Sequence, residues 1–322
     1  MKAVVADPVG DPENLRYVDL PDPQPAEGEA VIKTEAIGVN FIDVYFRTGL
    51  YKAPESPVRL GNEASGTISA VGPGVPFKVG QRVAYAMARG AYAEYAAVPA
   101  KLIVALPDAV SFEDGAAVML QGMTAHYLTH STFPLQSGQT CVIHAAAGGT
   151  GLLLVQIAKL LGATVIGTAS TEEKARLAKD HGADHVIQYS ETDFLAEVKK
   201  LTGDRGVDVV YDSVGAATFA KSLDCLRPRG MMVSFGQSSG PVGPVEPLVL
   251  SQKGSLFLTR PNLVHYISEP TELDRRTSDL FHWIGAGKLK TRIHKIYRLS
   301  DATAAHLDLE ARRTSGKLLL KP

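Results

Sequence analysis

Apolar and polar residues alternate in short runs along the first third of the chain, as in Ala30-Val31-Ile32-Lys33-Thr34. Pro21, Pro23, Pro25, Pro54, Pro57, Pro73 and Pro76 punctuate these runs. Short strands between proline and glycine turns predict an irregular, mainly antiparallel β domain over residues 1–121. The texture then changes. Thr140-Cys141-Val142-Ile143-His144 is a continuous apolar run, followed by a helical pattern with Leu152, Val155, Ile157, Leu160 and Leu161 near one side and Gly162 as its stop. Thr164 to Thr168, a helix from Glu172 to His181 closed by Gly182, Val186-Ile187, Val207 to Tyr211 and Gly230 to Phe235 continue the alternation of strand and helix. Strands joined by helical crossovers build a parallel sheet covered on both faces, so residues 122–260 predict a doubly wound, Rossmann-type α/β domain. Residues 261–322 return to mixed texture. A helix over Glu272–Ile284 ends at Gly285 and Gly287, and the apolar Leu318-Leu319-Leu320 closes the chain. This tail is too small to fold alone and is expected to complete the first domain.

Composition narrows the function classes. A chain of 322 residues exceeds the usual ceiling for one core, which agrees with two domains. With 45% hydrophobic and 21% charged residues it is globular rather than disordered. A net charge of −1 gives no electrostatic reason to expect nucleic acid or an anionic membrane as partner. Cys141 and Cys225 sit in apolar runs and are too few for a disulfide framework or a thiolate zinc site. The start of the chain meets Asp7 and Pro8 before a signal-peptide core can form, and the most apolar helical stretch is interrupted by Gln156 and Lys159. A soluble, cytoplasmic protein is expected.

The chemistry begins at Ala145-Ala146-Ala147-Gly148-Gly149-Thr150-Gly151, directly after a strand and at the head of a helix. Glycines there permit a tight turn and close approach of backbone to a pyrophosphate, while the helix N-terminus offers N–H groups and a positive dipole end. The setting predicts a dinucleotide site. An NAD site normally places a carboxylate near the end of the second strand for the ribose 2′-OH. Here Thr168-Ala169-Ser170-Thr171 has none, and Lys174 stands one turn on. Glu172 and Glu173 argue for NAD, but Ser170-Thr171-Glu172-Glu173 also fits a capping box that would turn Glu173 back onto the helix start. NADPH is the expected cofactor.

Several separated motifs carry a wider likeness: Asn40-Phe41-Ile42-Asp43-Val44-Tyr45-Phe46-Arg47-Thr48-Gly49-Leu50-Tyr51, Gly61-Asn62-Glu63-Ala64-Ser65-Gly66, the glycine loop, Tyr211-Asp212-Ser213-Val214-Gly215 and Val233-Ser234-Phe235-Gly236. Together they resemble the quinone oxidoreductases, the zeta-crystallin branch of the medium-chain dehydrogenase/reductase superfamily. The resemblance implies a GroES-like catalytic domain built from both chain ends, a Rossmann domain between them and a homodimer. By resemblance, Tyr45 and Thr124 lie near the nicotinamide and Gly148, Gly149 and Thr150 at the pyrophosphate. Ser170, Lys174, Tyr189 and Arg312, or Arg313 in its place, surround the adenine ribose and its 2′-phosphate, and Phe235, Gln237, Ser238 and Arg260 line the remaining groove. Zinc-dependent relatives carry a Cys near position 40 and Gly-His-Glu near 61–63, where this chain has Asn40 and Gly61-Asn62-Glu63. None of the nine histidines pairs with a cysteine at metal-ligand spacing. No metal is expected.

Without a Lewis acid, the acceptor must be activated already. A quinone gains aromaticity on reduction, so holding it against the nicotinamide does much of the work. Asn40 and Tyr45 are candidate donors to the developing oxyanion and Tyr51 a candidate flank for the acceptor. The predicted activity is transfer of hydride from NADPH to a quinone or similar conjugated carbonyl, with alkenal or enone reduction the alternative. Asp43 and Arg47, four apart, are expected as a local ion pair, and Glu63 as a backbone hydrogen-bond partner. Ser255 to Thr259 is expected as an apolar edge strand through which two copies pair.

Overall fold

A computed structural model describes residues 1–322. The chain divides into two compact units, one formed by Met1–Met123 with Ile267–Pro322 and the other by Thr124–Tyr266.

In the first unit, strands β1 (Lys2–Ala6), β2 (Leu15–Asp19), β3 (Glu29–Val39), β4 (Val58–Arg59), β5 (Glu63–Val71), β6 (Arg82–Ala86), β7 (Tyr95–Pro99) and β8 (Ile103–Ala105) accompany helices α1 (Phe41–Arg47) and α2 (Phe112–Tyr127). β2, β1 and β4 form a small antiparallel sheet. β3 is the spine of the larger sheet, pairing antiparallel with both β5 and β7. Its inward residues Ala30, Ile32 and Ile37 are fully buried with Ile68, Val83, Tyr85 and Val98. The alternating runs foresee this sheet but not α1, whose seven residues form a single short helix between two strands.

The second unit opens with β9 (Thr140–Ile143), α3 (Gly149–Leu160), β10 (Thr164–Ala169), α4 (Glu172–Asp180), β11 (His185–Gln188), α5 (Phe194–Thr202) and β12 (Val207–Asp212). It closes with α6 (Phe219–Asp224), β13 (Leu226–Ser234), α7 (Pro247–Gln252), β14 (Phe257–Thr259) and α8 (Leu263–Tyr266). All six strands pair in parallel in the order β11-β10-β9-β12-β13-β14. The chain runs outward from β9 to one edge and then returns to build the other half beside it. That reversal makes a topological switch point at the C-terminal ends of β9 and β12, where such sheets bind ligands. β14 is shorter than the Ser255–Thr259 expectation, because Gly254 and Ser255 both take left-handed turn conformations.

The remaining chain adds α9 (Pro270–Gly285), β15 (Ile293–Arg298), α10 (Ala302–Glu310) and β16 (Lys317–Lys321) to the first unit. β16 pairs antiparallel with β3, setting Leu318 opposite Val39 and Leu320 opposite Ile37, while β15 runs parallel beside it. Leu318, Leu319 and Leu320 are fully buried there. An apolar run of three leucines is thus satisfied by a strand near the other end of the sequence.

Candidate functional site

In the second unit, the loop after β9 turns through Ala145, whose φ of 51° is left-handed, so an alanine and not a glycine carries the strained turn residue. The glycines serve packing. A Cβ on Gly151 would collide with the Ala145 carbonyl and the Ala146 backbone, so only glycine lets α3 start this close to β9. Gly148 is the N-cap of α3, with no side-chain cap and no acidic residue in the first turn. The N–H groups of that turn, carried by Gly149, Thr150 and Gly151, have no side-chain cap, the condition under which a helix N-terminus can take an anion.

The end of β10 is shaped for a neighbouring group. The Tyr189 N–H donates to Ala169 O at 3.1 Å and Ser190 Oγ to Ser170 O at 3.0 Å, which brings Tyr189 and Ser190 beside Ser170. α4 is capped by Thr171, whose Oγ1 accepts the Lys174 N–H at 3.3 Å. The expected capping box from Ser170 to Glu173 therefore does not form. With Thr171 as N-cap, the third helical position is Lys174, and Glu173 stays exposed in the first turn. Lys174 is half-buried and Tyr189 exposed.

A second loop pair faces the same end of the sheet. Asp212, fully buried, accepts the N–H groups of Val214 and Gly215 at 2.7 and 3.1 Å and the Thr218 hydroxyl at 2.7 Å. The following loop is laced to it, Phe235 N–H to Asp212 O at 2.8 Å and Ser238 N–H to Ser213 O at 3.2 Å. This fixes Phe235, Gln237 and Ser238 as half-buried residues on one loop, and Arg260, exposed after β14, donates to Ser234 O at its base. His144 is a satisfied core histidine. Its nitrogens meet Thr168 Oγ1 and Ser222 Oγ, and burial holds its pKa below the usual imidazole range. Thr124, nearly buried, lies on α2 at the start of this unit. Cys141 and Cys225 are buried, and burial pushes both thiols up to about 12.

In the first unit, Asn40 precedes α1, Tyr45 lies on it and Tyr51 follows it. Asn40 is the N-cap, in a capping box with Asp43, whose carboxylate accepts the Asn40 N–H. It donates from Nδ2 to Glu63 Oε1 at 2.6 Å, and its Oδ1 accepts from Lys317 Nζ at 2.9 Å and Gln121 Nε2 at 3.2 Å. Tyr45 and Tyr51 sit edge to face with centroids 5.2 Å apart, tied by a Tyr51 N–H to Tyr45 O bond of 2.9 Å. Both rings are half-buried. Glu63 accepts the Leu120 N–H at 2.6 Å, the backbone contact expected, and is also ion-paired with Lys317.

Asp43 and Arg47 do not form the expected ion pair. Asp43 turns inward to accept the Asn40 N–H at 2.9 Å, Asn62 Nδ2 at 2.7 Å and the Tyr92 hydroxyl at 3.2 Å. Burial pushes its carboxyl up to about 6 against the pull of Asn62, Asn40 and Lys317. Arg47 reaches instead to Glu310 on α10 at 2.8 Å. The Tyr92 hydroxyl also meets His306 Nε2 at 3.0 Å, and burial pulls that imidazole down to about 3. Arg312 follows α10 with a left-handed φ of 56°, and adjacent Arg313 pairs with Asp308 at 2.7 Å. Sequence reasoning missed Lys317, Gln121 and the Asp43–Tyr92–His306 array. A lysine opening an otherwise apolar strand was the one available signal.

Residues 26–108 match the family described as "Alcohol dehydrogenase GroES-like domain" and residues 149–268 match "Zinc-binding dehydrogenase". The chain is 48% identical to a quinone oxidoreductase of Pseudomonas aeruginosa over 97% of both chains. The chain belongs to the quinone oxidoreductase family of the medium-chain dehydrogenase/reductase superfamily. The crystal structure of Escherichia coli quinone oxidoreductase complexed with NADPH superposes with a TM-score of 0.98 at 45% identity, covering all of both chains. A 2-haloacrylate reductase from Burkholderia is 43% identical over 99% of this chain and 98% of its own. The word zinc in the matched description finds no counterpart here. Asn40 and Glu63 already share the Lys317 ammonium, Asn62 spends its amide on Asp43, and no three His, Cys, Asp or Glu side chains converge. These residues do not fit a metal.

Proposed function

We propose that the chain is an NADPH-dependent oxidoreductase that reduces a quinone to its hydroquinone directly, without metal or flavin. The observation that carries this reading is the head of α3, acid-free and without a side-chain cap at the sheet's switch point, with Lys174 and no carboxylate at the end of β10. The NADPH complex of the Escherichia coli relative supports the cofactor. When bound, NADPH supplies the hydride, and a solvent proton completes the balance: NADPH, a proton and the quinone give NADP⁺ and the hydroquinone.

The chain's residues divide that work. The N–H groups of Gly149 and Thr150, beside Gly148, hold the pyrophosphate. Ser170, Lys174, Tyr189 and Arg312, or Arg313 in its place, surround the 2′-phosphate, the cations offsetting its charge and the hydroxyls donating to it. Phe235, Gln237, Ser238 and Arg260 border the cofactor's length, and Thr124 and Tyr45 orient the nicotinamide. The paired rings of Tyr45 and Tyr51 flank the acceptor, and Asn40 and Tyr45 donate to the oxygen on which charge develops. The first unit, expected as residues 1–121 with 261–322 and found as 1–123 with 267–322, is the catalytic domain, and the second, expected as 122–260 and found as 124–266, the cofactor domain. β14 is the sheet edge, with Phe257 57% exposed, and two copies joined along it make a twofold dimer. No helix is long and apolar enough to cross a membrane, and a cytoplasmic location fits this reading.

A second reading, reduction of an activated alkene such as an enal or enone, is favoured by the identity to the 2-haloacrylate reductase. NADPH oxidation with 1,4-benzoquinone, a naphthoquinone and an enone, compared by kcat/KM, separates the two. Higher kcat/KM for the quinones is expected and survives exhaustive chelation. Preference for the enone reverses the assignment, and loss of activity that zinc restores defeats the metal-free mechanism.

A further inference from the structure

Glu63 is fully buried at the start of β5, and both its oxygens are committed. Oε2 accepts the Leu120 N–H at 2.6 Å, and Oε1 accepts from Asn40 Nδ2 and the Lys317 ammonium. Lys317, 2% exposed, has little freedom to leave. Its N–H donates to Arg292 O at 2.7 Å, the next residue pairs with Val39, and β16 is sealed by three buried leucines. Gly38 makes the room, since a Cβ there would run into the Glu63 carboxylate.

The consequence falls on Asn40. Its carboxamide lies between a cation and an anion, oxygen toward Lys317 and nitrogen toward Glu63. The flipped amide would set its NH₂ against an ammonium and its oxygen against a carboxylate, losing both bonds and adding two repulsions. One amide proton goes to Glu63, and the other has only a 3.5 Å approach to Gly38 O. A buried ion pair is seldom the most stable way to fill such a space, so its presence asks for a role beyond packing.

We infer that Lys317 is a positioning residue for the reduction: its ammonium, standing on Glu63 where a metal-dependent relative would need a cation, locks the Asn40 carboxamide as a hydrogen-bond donor to the acceptor's developing oxyanion. This rests on the functional reading above.

The test uses the full chain in five forms: wild type, Lys317→Met, Lys317→Met with Glu63→Gln, Asn40→Ala, and Asn40→Ala combined with the Lys317/Glu63 pair. The double change removes both charges at once, so it restores the melting temperature that Lys317→Met alone lowers. With 1,4-benzoquinone, kcat of the double variant stays about tenfold or more below wild type while KM for NADPH hardly moves, and the same changes cost nothing further in the Asn40→Ala background. Recovery of wild-type kcat by the double variant would make Lys317 a mere counter-charge and overturn the inference. So would losses that multiply in the Asn40→Ala background. Selective ¹⁵N-asparagine labelling reads the lock without turnover: the Asn40 NH₂ protons exchange with solvent at least about tenfold faster in the double variant, and equal rates overturn it. Wild type that oxidises NADPH with neither quinone nor enone defeats the functional reading instead, and the exchange rates still decide on the lock. Zinc taken up stoichiometrically by wild type and lost with Glu63→Gln would show that the ammonium does not hold that place.

Discussion

The Asn40–Glu63–Lys317 cluster and the head of α3 are both built from polar groups at the ends of strands, yet they are finished in opposite ways. In the first, the groups satisfy one another: a carboxylate with three donors, an amide between two charges, an ammonium shared between two oxygens. In the second, no side chain caps the helix and no acid stands in its first turn. Buried polar groups are costly unless paired, so a site that completes itself is stable alone, whereas one that leaves donors outward reserves its pairing for a ligand. On the proposed function, the first arrangement sets geometry and the second sets affinity. Substitutions in the two regions should accordingly fail in different ways.

The largest effect is expected at Glu63. Glu63→Ala leaves the Lys317 ammonium buried without its carboxylate and the Leu120 N–H without an acceptor, and should cost about 3–5 kcal/mol in denaturant unfolding. A loss below about 1 kcal/mol would mean that water replaces the carboxylate and the cluster is not closed.

The neighbouring Asp43–Tyr92–His306 array gives a pH signature. Asp43, with its carboxyl at about 6 against a usual 3.8, keeps its proton longer when folded, so its contribution is full below pH 3.8 and is lost as pH rises through about 6. His306, at about 3 against a usual 6.5, does the reverse, contributing above pH 6.5 and losing that contribution as pH falls toward 3. Between pH 4 and 6 the two slopes oppose. His306→Gln removes one of them, so the variant's stability relative to wild type should fall by about 3 kcal/mol from pH 4 to 6. A difference that stays constant across that range would show that His306 is not held neutral by its burial.

Tyr51→Ala should act more gently. It removes one half of the Tyr45–Tyr51 ring pair and raises KM for quinones about 2- to 10-fold with little change in NADPH affinity. An unchanged acceptor profile would move the acceptor away from this pair.

The contrast between the regions also explains what could be read from the sequence. The Rossmann-type sheet was legible because strand, glycine turn and helix are local signals, and six parallel strands follow from their repetition. The glycine loop was legible as the turn from β9 into α3, although its left-handed residue proved to be Ala145 and Gly151 serves close packing. The closed cluster was not legible, because its bonds join residues far apart in the chain. Lys317 and Glu63 are 254 positions apart and Arg47 and Glu310 are 263, and no periodicity reports such pairs. Asp43 and Arg47 misled for the same reason, since helical spacing predicts a contact only where tertiary partners do not compete. The capping box at Ser170 failed by a single residue, Thr171 being the better placed hydroxyl.

The account depends most on the end of β10 and the start of α4 holding a 2′-phosphate. Dissociation constants of NADPH and NADH for wild type and Lys174→Ala test this directly. One lost charge-assisted contact of about 1.5–3 kcal/mol should weaken NADPH roughly 10- to 100-fold and leave NADH unchanged, collapsing the preference of wild type for NADPH. The contrary result is a wild type that already favours NADH and a Lys174→Ala variant that matches it, which would give the ribose to Glu172 or Glu173 and make this an NAD enzyme.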